Sequence, residues 1–250
     1  MHLVIFINLN LILDIGNTRI KAALFDGQCL VELRLYKQPN DLLADELFLF
    51  QAKNILIGSV VDGLEEFYES LNLIRPTLLF EANTPIPLTN CYQTVSSLGS
   101  DRLAASVGAY HLYPHANVLV IDAGTCIKYN FTNSKNDYLG GGISPGIQMR
   151  FKALHHFTSK LPLIEIDSHD IDLIGVNTTQ SILSGVVNGC VAEIDGLIHE
   201  YKTKFPDLVC ILTGGDSEFL AKRLKNSIFT HQNLVLKGLN DILIYNLEKK

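Results

Sequence analysis

Tryptophan is absent from this chain and methionine is rare, with two in 250 residues. Neither absence removes the means of building a core, because 47% of the residues are hydrophobic, enough to bury one or two domains without disulfides or structural metal. The five cysteines (Cys29, Cys91, Cys126, Cys190, Cys210) are odd in number, far apart and never arranged as C-x-x-C. That excludes a disulfide framework and predicts reduced, mostly buried thiols in a cytoplasmic protein. Charge is also sparse. The net charge is −6 and lysines and arginines are scattered, so no basic stripe exists to neutralise a phosphate backbone or an anionic bilayer. Nucleic acid and membrane are not expected partners. The apolar opening Met1–Leu13 has no basic leader and no small-residue cleavage site, is too short to span a bilayer, and runs straight into Asp14. Its first eight residues precede the strand that follows and read as an extension of it, a tail or a misplaced start.

What is present is repetition. Leu11-Ile12-Leu13-Asp14-Ile15-Gly16-Asn17-Thr18-Arg19-Ile20-Lys21 is echoed by Leu119-Val120-Ile121-Asp122-Ala123-Gly124-Thr125-Cys126-Ile127-Lys128. Each is an apolar strand, an Asp-x-Gly turn, a threonine, and Ile-Lys entering a second strand. A second echo pairs Asn54–Val60 with Val209–Asp216, each an apolar run ending at a glycine turn before a helical pattern. The two halves therefore read as copies of one α/β unit, residues 1–115 and 116–250, with the break at Tyr113-Pro114-His115-Ala116 because proline stops the helix before it. Hairpins are expected first in each half, and helices at Leu64–Leu73, Leu103–Leu112, Thr179–Lys204 and Ser217–Leu224.

One Asp-x-Gly turn alone would be ordinary hairpin chemistry. Two, one per copy, are what is needed to clasp a polyphosphate, since strand-end turns present backbone amides to anions and an adjacent aspartate can hold Mg²⁺. Gly214-Gly215-Asp216 reads either as a bare-backbone approach for a nucleotide or as a plain loop with an N-cap. Gly140-Gly141-Gly142-Ile143-Ser144-Pro145-Gly146 reads as a site-lining segment or a structural tight turn. In Gly99-Ser100-Asp101-Arg102, Ser100 is the expected N-cap and Asp101 the first helical residue, where the helix dipole favours an ionised carboxylate suited to act as a general base. Arg102 could hold a substrate carboxylate in a fork, and the alternative is an exposed cap fragment. His155-His156 lack a partner at ligand spacing and read as surface or packing residues.

These motifs resemble type III pantothenate kinases, whose hallmarks are D-x-G-N-T, G-x-D-R, D-x-G-T and G-G-x-I-x-P-G in that order. Here they stand at Asp14–Thr18, Gly99–Arg102, Asp122–Thr125 and Gly141–Gly146, and the likeness runs over roughly residues 9–245. The resemblance implies two duplicated ribonuclease H-like domains of the actin-like ATPase fold. It also implies a homodimer, and ATP-dependent phosphorylation of pantothenate with Mg²⁺ and a monovalent cation, K⁺ or NH₄⁺. By the same likeness Asp101 is the catalytic base, and Asp14, Ile15, Gly16, Asn17, Thr18, Arg19, Ile20 and Lys21 line the ATP phosphates together with Thr125. Tyr92, Gly99, Ser100, Asp101, Arg102 and Thr178, with Thr179 as the neighbouring choice, bind pantothenate, and Asp122 holds the monovalent cation. The last role has a local rationale too, in that a lone strand-end carboxylate beside a phosphate clamp needs countercharge.

For the dimer, two surfaces suggest themselves. One is the small-residue face Ala104, Ala105 and Gly108 of the Leu103–Leu112 helix; the other is the apolar helix Ser181–His199, with Ile182, Val186, Gly189 and Glu193 at helical spacing. Both could instead be interior. Competing readings are a kinase of another small acceptor on the same fold and an ATP-binding regulatory accessory protein without activity.

Overall fold

The computed structural model describes residues 9–61, 63–166 and 170–249. The first eight residues and Lys250, expected to end a frayed terminus, lie outside the described residues. In chain order the elements are β1 Leu9–Ile15, β2 Ile20–Asp26, β3 Cys29–Tyr36, α1 Pro39–Leu43, α2 Glu46–Leu49, β4 Ala52–Ser59, α3 Glu65–Ile74, β5 Thr77–Leu79, β6 Thr89–Asn90 and α4 Ser100–Leu112. They continue with β7 Val118–Ala123, β8 Cys126–Thr132, β9 Asp137–Pro145, α5 Ile147–His156, α6 Thr178–Leu183, α7 Gly189–Lys204, β10 Val209–Thr213, α8 Ser217–Ala221, β11 Phe229–Thr230 and α9 Leu234–Glu248.

Two compact units result. The first comprises residues up to Pro114, Lys135–Leu139 and the segment from Asn233 onward; the second comprises His115–Ser134 and Gly140–Gln232. The sequence reading assigns everything after residue 115 to the second half. The structure instead returns the final helix to the first unit.

In the first unit the sheet order is β3-β2-β1-β4-β5, with β1 antiparallel to β2 and parallel to β4. β1 is apolar on both faces because both are covered. Leu9, Leu11, Leu13 and Ile15 join the core with Leu42, Phe48, Leu49, Phe67 and Leu71 of α1, α2 and α3. The alternate residues face the other way, where the Asn10 side-chain amide donates to Asn240 Oδ1 of α9 at 3.1 Å. Asp14 has the same parity as Asn10 and Ile12, and so leaves the strand on that second face.

The second unit repeats the plan. Its sheet runs β11-β10-β7-β8-β9, with β7 antiparallel to β8 and parallel to β10. Taking β7, β8, β9, β10 and β11 as first to fifth, the order is again third, second, first, fourth, fifth. Both sequence echoes fall on equivalent strands: β1 with β7, and β4 with β10. Leu119, Ile121 and Ala123 enter a core with α5 to α8, and the opposite parity carries Asp122.

Four expectations need correction. The glycine triplet is not a turn but lies within β9, where a Cβ on Gly141 would stand 1.9 Å from the Tyr129 carbonyl oxygen. Ala104, Ala105 and Gly108 do not face a partner subunit's helix, because α4 lies against α9 of the same chain; a Cβ on Gly238 would stand 1.7 Å from the Ala104 carbonyl oxygen. The helical rod Thr178–Lys204, carried through a π-turn at Ser184–Asn188, is long and apolar enough to cross a membrane by length and composition. Its stripe Ile182, Val186, Cys190, Ile194 and Ile198 is nevertheless core of the second unit. The cysteines are expected to be mostly buried, but only Cys190 and Cys210 are, and burial pushes both thiols up to about 11.

Candidate active site

In the first unit the carboxyl ends of the parallel strands β1 and β4 lie side by side, with Ile15 opposite Ser59 and the Val60 amide donating to the Ile15 carbonyl at 3.2 Å. Such strand ends are where α/β sheets hold ligands. From β1 the chain makes the turn Gly16-Asn17-Thr18-Arg19, closed by the Gly16 amide donating to the Arg19 carbonyl at 3.2 Å. Asn17, Thr18 and Arg19 are exposed. Asp14 and Lys21 are cross-strand partners, with Nζ and Oδ2 3.7 Å apart.

α4 begins at the end of β4. Gly99, not Ser100, is its N-cap; Ser100 is the first helical residue and its hydroxyl donates to the Ser59 carbonyl at 2.7 Å. Ser100 is thus recruited away from capping to tie helix to strand. Asp101 follows in the first turn of a 13-residue helix, at the end where the backbone dipole favours anions. Its carboxylate folds back over Gly99, since a Cβ there would stand 2.7 Å from Oδ1. Arg102 is 4% exposed, with its guanidinium 5.5 Å from the centroid of the Tyr92 ring, and Tyr92 lies 6.3 Å from Tyr138. The expected pantothenate residues Tyr92, Gly99, Ser100, Asp101 and Arg102 are thereby gathered in one unit, one strand away from the Asp14–Lys21 turn.

The remaining expected residues belong to the second unit. Asp122 ends β7, and Gly124-Thr125 turns the chain into β8. Two glycine segments pack backbone to backbone on that turn. The Gly146 amide donates to the Thr125 carbonyl at 3.1 Å, and a Cβ on Gly146 would stand 2.0 Å from the Gly124 carbonyl oxygen. Gly214 has φ +94° and lies against Ala123, whose carbonyl accepts the Asp216 amide at 3.0 Å. Close approach of backbone is therefore the reason for both glycines. At Gly124 and Gly215 a Cβ would meet nothing within 4 Å, which leaves room for a ligand beside the backbone. Burial alone pushes the Asp216 carboxyl up.

Thr178 opens α6, where the Asn177 side chain caps by accepting from the Gln180 amide at 2.9 Å. Thr178 and Thr179 are both exposed and both line a cavity of about 620 Å³ with Asp170, Asp172 and Gln180. Asp122 is not the lone carboxylate of the sequence reading. Lys128, its cross-strand partner, donates to Oδ2 at 2.9 Å. His155 and His156 end α5 exposed, and no cluster of three or more metal-binding side chains occurs among the described residues.

One half-buried network escaped the sequence reading. Glu193 of α7 accepts from Tyr129 OH at 3.0 Å, Ser144 Oγ at 2.6 Å and Arg150 Nη2 at 2.6 Å, pinning the end of β9 just before Gly146. Its only sequence signal was an acidic residue on the apolar side of a helix. Burial acts to raise the Glu193 carboxyl, but hydrogen bonds from Ser144 and Arg150 outweigh it and hold the group below the usual range. Its stabilising contribution is present at neutral pH and lost as the pH falls through the folded-state value. Glu193→Ala strands three donors and is expected to cost about 1–3 kcal/mol, while Glu193→Gln, which keeps an acceptor, costs less. Thermal melts of the two variants check this, and an unshifted alanine variant overturns it.

The profile of the family described as type III pantothenate kinase matches residues 10–200. The chain belongs to the type III pantothenate kinases. A type III pantothenate kinase of Flavobacterium johnsoniae is 42% identical over 241 residues, covering 95% of this chain and 98% of its own. Among solved structures, a Campylobacter jejuni protein described as a conserved candidate Baf-family transcriptional activator superposes with TM-score 0.64 at 23% identity, covering 95% and 99%. A ROK hexokinase of Thermus thermophilus superposes with TM-score 0.55 at 14% identity, covering 97% and 100%. The latter two show the fold alone. As a member of the pantothenate kinase family, this chain is a phosphotransferase.

Proposed function

We propose that Asp101 is the general base of this pantothenate kinase, with Arg102 and Tyr92 holding pantothenate beside it. The reaction is the family's: the γ-phosphoryl group of ATP passes to the primary hydroxyl of pantothenate, giving 4′-phosphopantothenate and opening coenzyme A synthesis. The observation that carries the reading is the carboxylate of Asp101 in the first turn of α4, with the buried guanidinium of Arg102 next to it over Tyr92. A planar guanidinium suits the substrate's carboxylate, and the adjoining carboxylate suits its hydroxyl. In such transfers positioning and charge neutralisation supply most of the acceleration.

In the first unit the turn Asp14–Lys21 is read as a contact of the ATP phosphates; in the second unit Thr125 is read likewise and Thr178 as a pantothenate contact, each by the family likeness. Asp14 fits Mg²⁺, which takes one or two carboxylates and otherwise the oxygens of phosphate and water. When bound, that ion neutralises charge developing on the phosphates. An external monovalent cation at Asp122 does not fit, because Lys128 already occupies the carboxylate. The homodimer and the cytoplasmic location rest on the family likeness, and light scattering tests the first.

Purified protein incubated with ATP, Mg²⁺ and pantothenate, with and without KCl, is expected to yield 4′-phosphopantothenate by mass spectrometry. Transfer only to another acceptor, or none in either salt, overturns the reading.

A further inference from the structure

The two units present the same pair of residues in the same place and use them differently. In the first, Lys21 and Asp14 are 3.7 Å apart, with 35% and 18% of their side chains exposed. In the second, Lys128 and Asp122 are hydrogen-bonded at 2.9 Å and less exposed, at 24% and 13%. In both units the two residues are direct cross-strand partners, and in the β7–β8 hairpin the ammonium closes to hydrogen-bond distance of the carboxylate. The pair stands at the end of β7, immediately before the Gly124-Thr125 turn read as a phosphate loop.

A soluble monovalent cation binding this carboxylate would have to displace the ammonium or share one small anion with it, against like-charge repulsion. The lysine head group is itself a monovalent cation of the ammonium type. Tethered one strand away, it acts at an effective concentration that free salt does not match.

We propose that Lys128 is the built-in monovalent cation of this enzyme, so that phosphoryl transfer proceeds without added potassium or ammonium. The proposal rests on the kinase reading above. Lys128 is in this view a positioning and charge-supplying residue at the phosphate end of the site.

The test compares turnover in KCl and in choline chloride at equal ionic strength, with Mg²⁺ and ATP saturating. The parent protein is expected to turn over equally in both. Lys128→Thr, which replaces the ammonium by a hydroxyl oxygen, is expected to lose activity in choline chloride by a factor on the order of 10² and to recover in KCl or NH₄Cl. A second readout is independent of activity: KCl relative to choline chloride should leave the parent's melting temperature unchanged and raise that of Lys128→Thr.

Strong stimulation of the parent by potassium overturns the proposal. So does a folded Lys128→Thr that is fully active in choline chloride, or one that is inactive in every salt. If Lys128→Thr does not fold, Lys128→Gln takes its place in the same comparison. A parent that makes no 4′-phosphopantothenate in any salt defeats the kinase reading instead, and the melting comparison still decides whether potassium has a site here.

Discussion

Asp101→Asn is expected to leave the fold intact and lower turnover by a factor on the order of 10² to 10⁴, the usual reach of general acid–base help. The amide is nearly isosteric, so it can still fold back over Gly99, where the structure leaves no room for a Cβ. Ser100 still ties α4 to Ser59, and Arg102 remains over Tyr92. What is lost is the capacity to accept the hydroxyl proton as the phosphoryl group arrives. The Michaelis constant for pantothenate should therefore move much less than turnover, because binding falls to neighbouring side chains. Steady-state kinetics with a circular dichroism spectrum of the variant check both halves. Near-parental turnover in a well-folded variant would remove Asp101 from the role of base, and a large rise in the Michaelis constant at unchanged turnover would make it a binding residue instead.

The second large effect concerns stability. Gly238→Ala is expected to cost about 1–3 kcal/mol or more, the range for overpacking a well-filled interior. An added methyl would stand 1.7 Å from the Ala104 carbonyl oxygen and 2.8 Å from the Gly108 amide nitrogen. All of these are backbone atoms, so no side chain can rotate away and the two helices must separate. Separation would also disturb the contact of Leu239 with Gly58, where α9 meets β4. Because α4 carries Asp101 at its amino end, activity should fall with stability even though Gly238 touches no substrate. A urea or thermal melt measures the loss, and a variant melting with the parent would show that the crossing relaxes at no cost.

The duplicated plan was legible because both signals that define it, an apolar run ending in Asp-x-Gly and a second run ending in glycine, are short and local. The sheet order follows from them once each pair is placed on equivalent strands. The pantothenate cluster was legible for a similar reason: Gly99, Ser100, Asp101 and Arg102 are consecutive, although Ser100 proved to bond Ser59 rather than to cap. What escaped was set by partners distant in the chain. The glycines of β9 read as a site-lining segment or a tight turn since glycine is a poor strand former, yet Gly141 must be glycine because the Tyr129 backbone passes against it. α9 has no capping signal, with Asn233 at φ 58° before it, and its purpose appears only when Gly238 meets Ala104. Asp122 looked unpaired because its partner is six residues along and is brought opposite by strand pairing alone.

The return of α9 to the first unit also sets an order of events during synthesis. Every residue of the second unit precedes Asn233, so that unit can be complete before α9 is made. The first unit cannot, since β1 and β4 lack the helix that covers one face until residues 234–248 have emerged. A nascent chain therefore carries an open apolar sheet through most of its elongation, and its slowest folding step is the long-range closure that joins the last helix to the first strands.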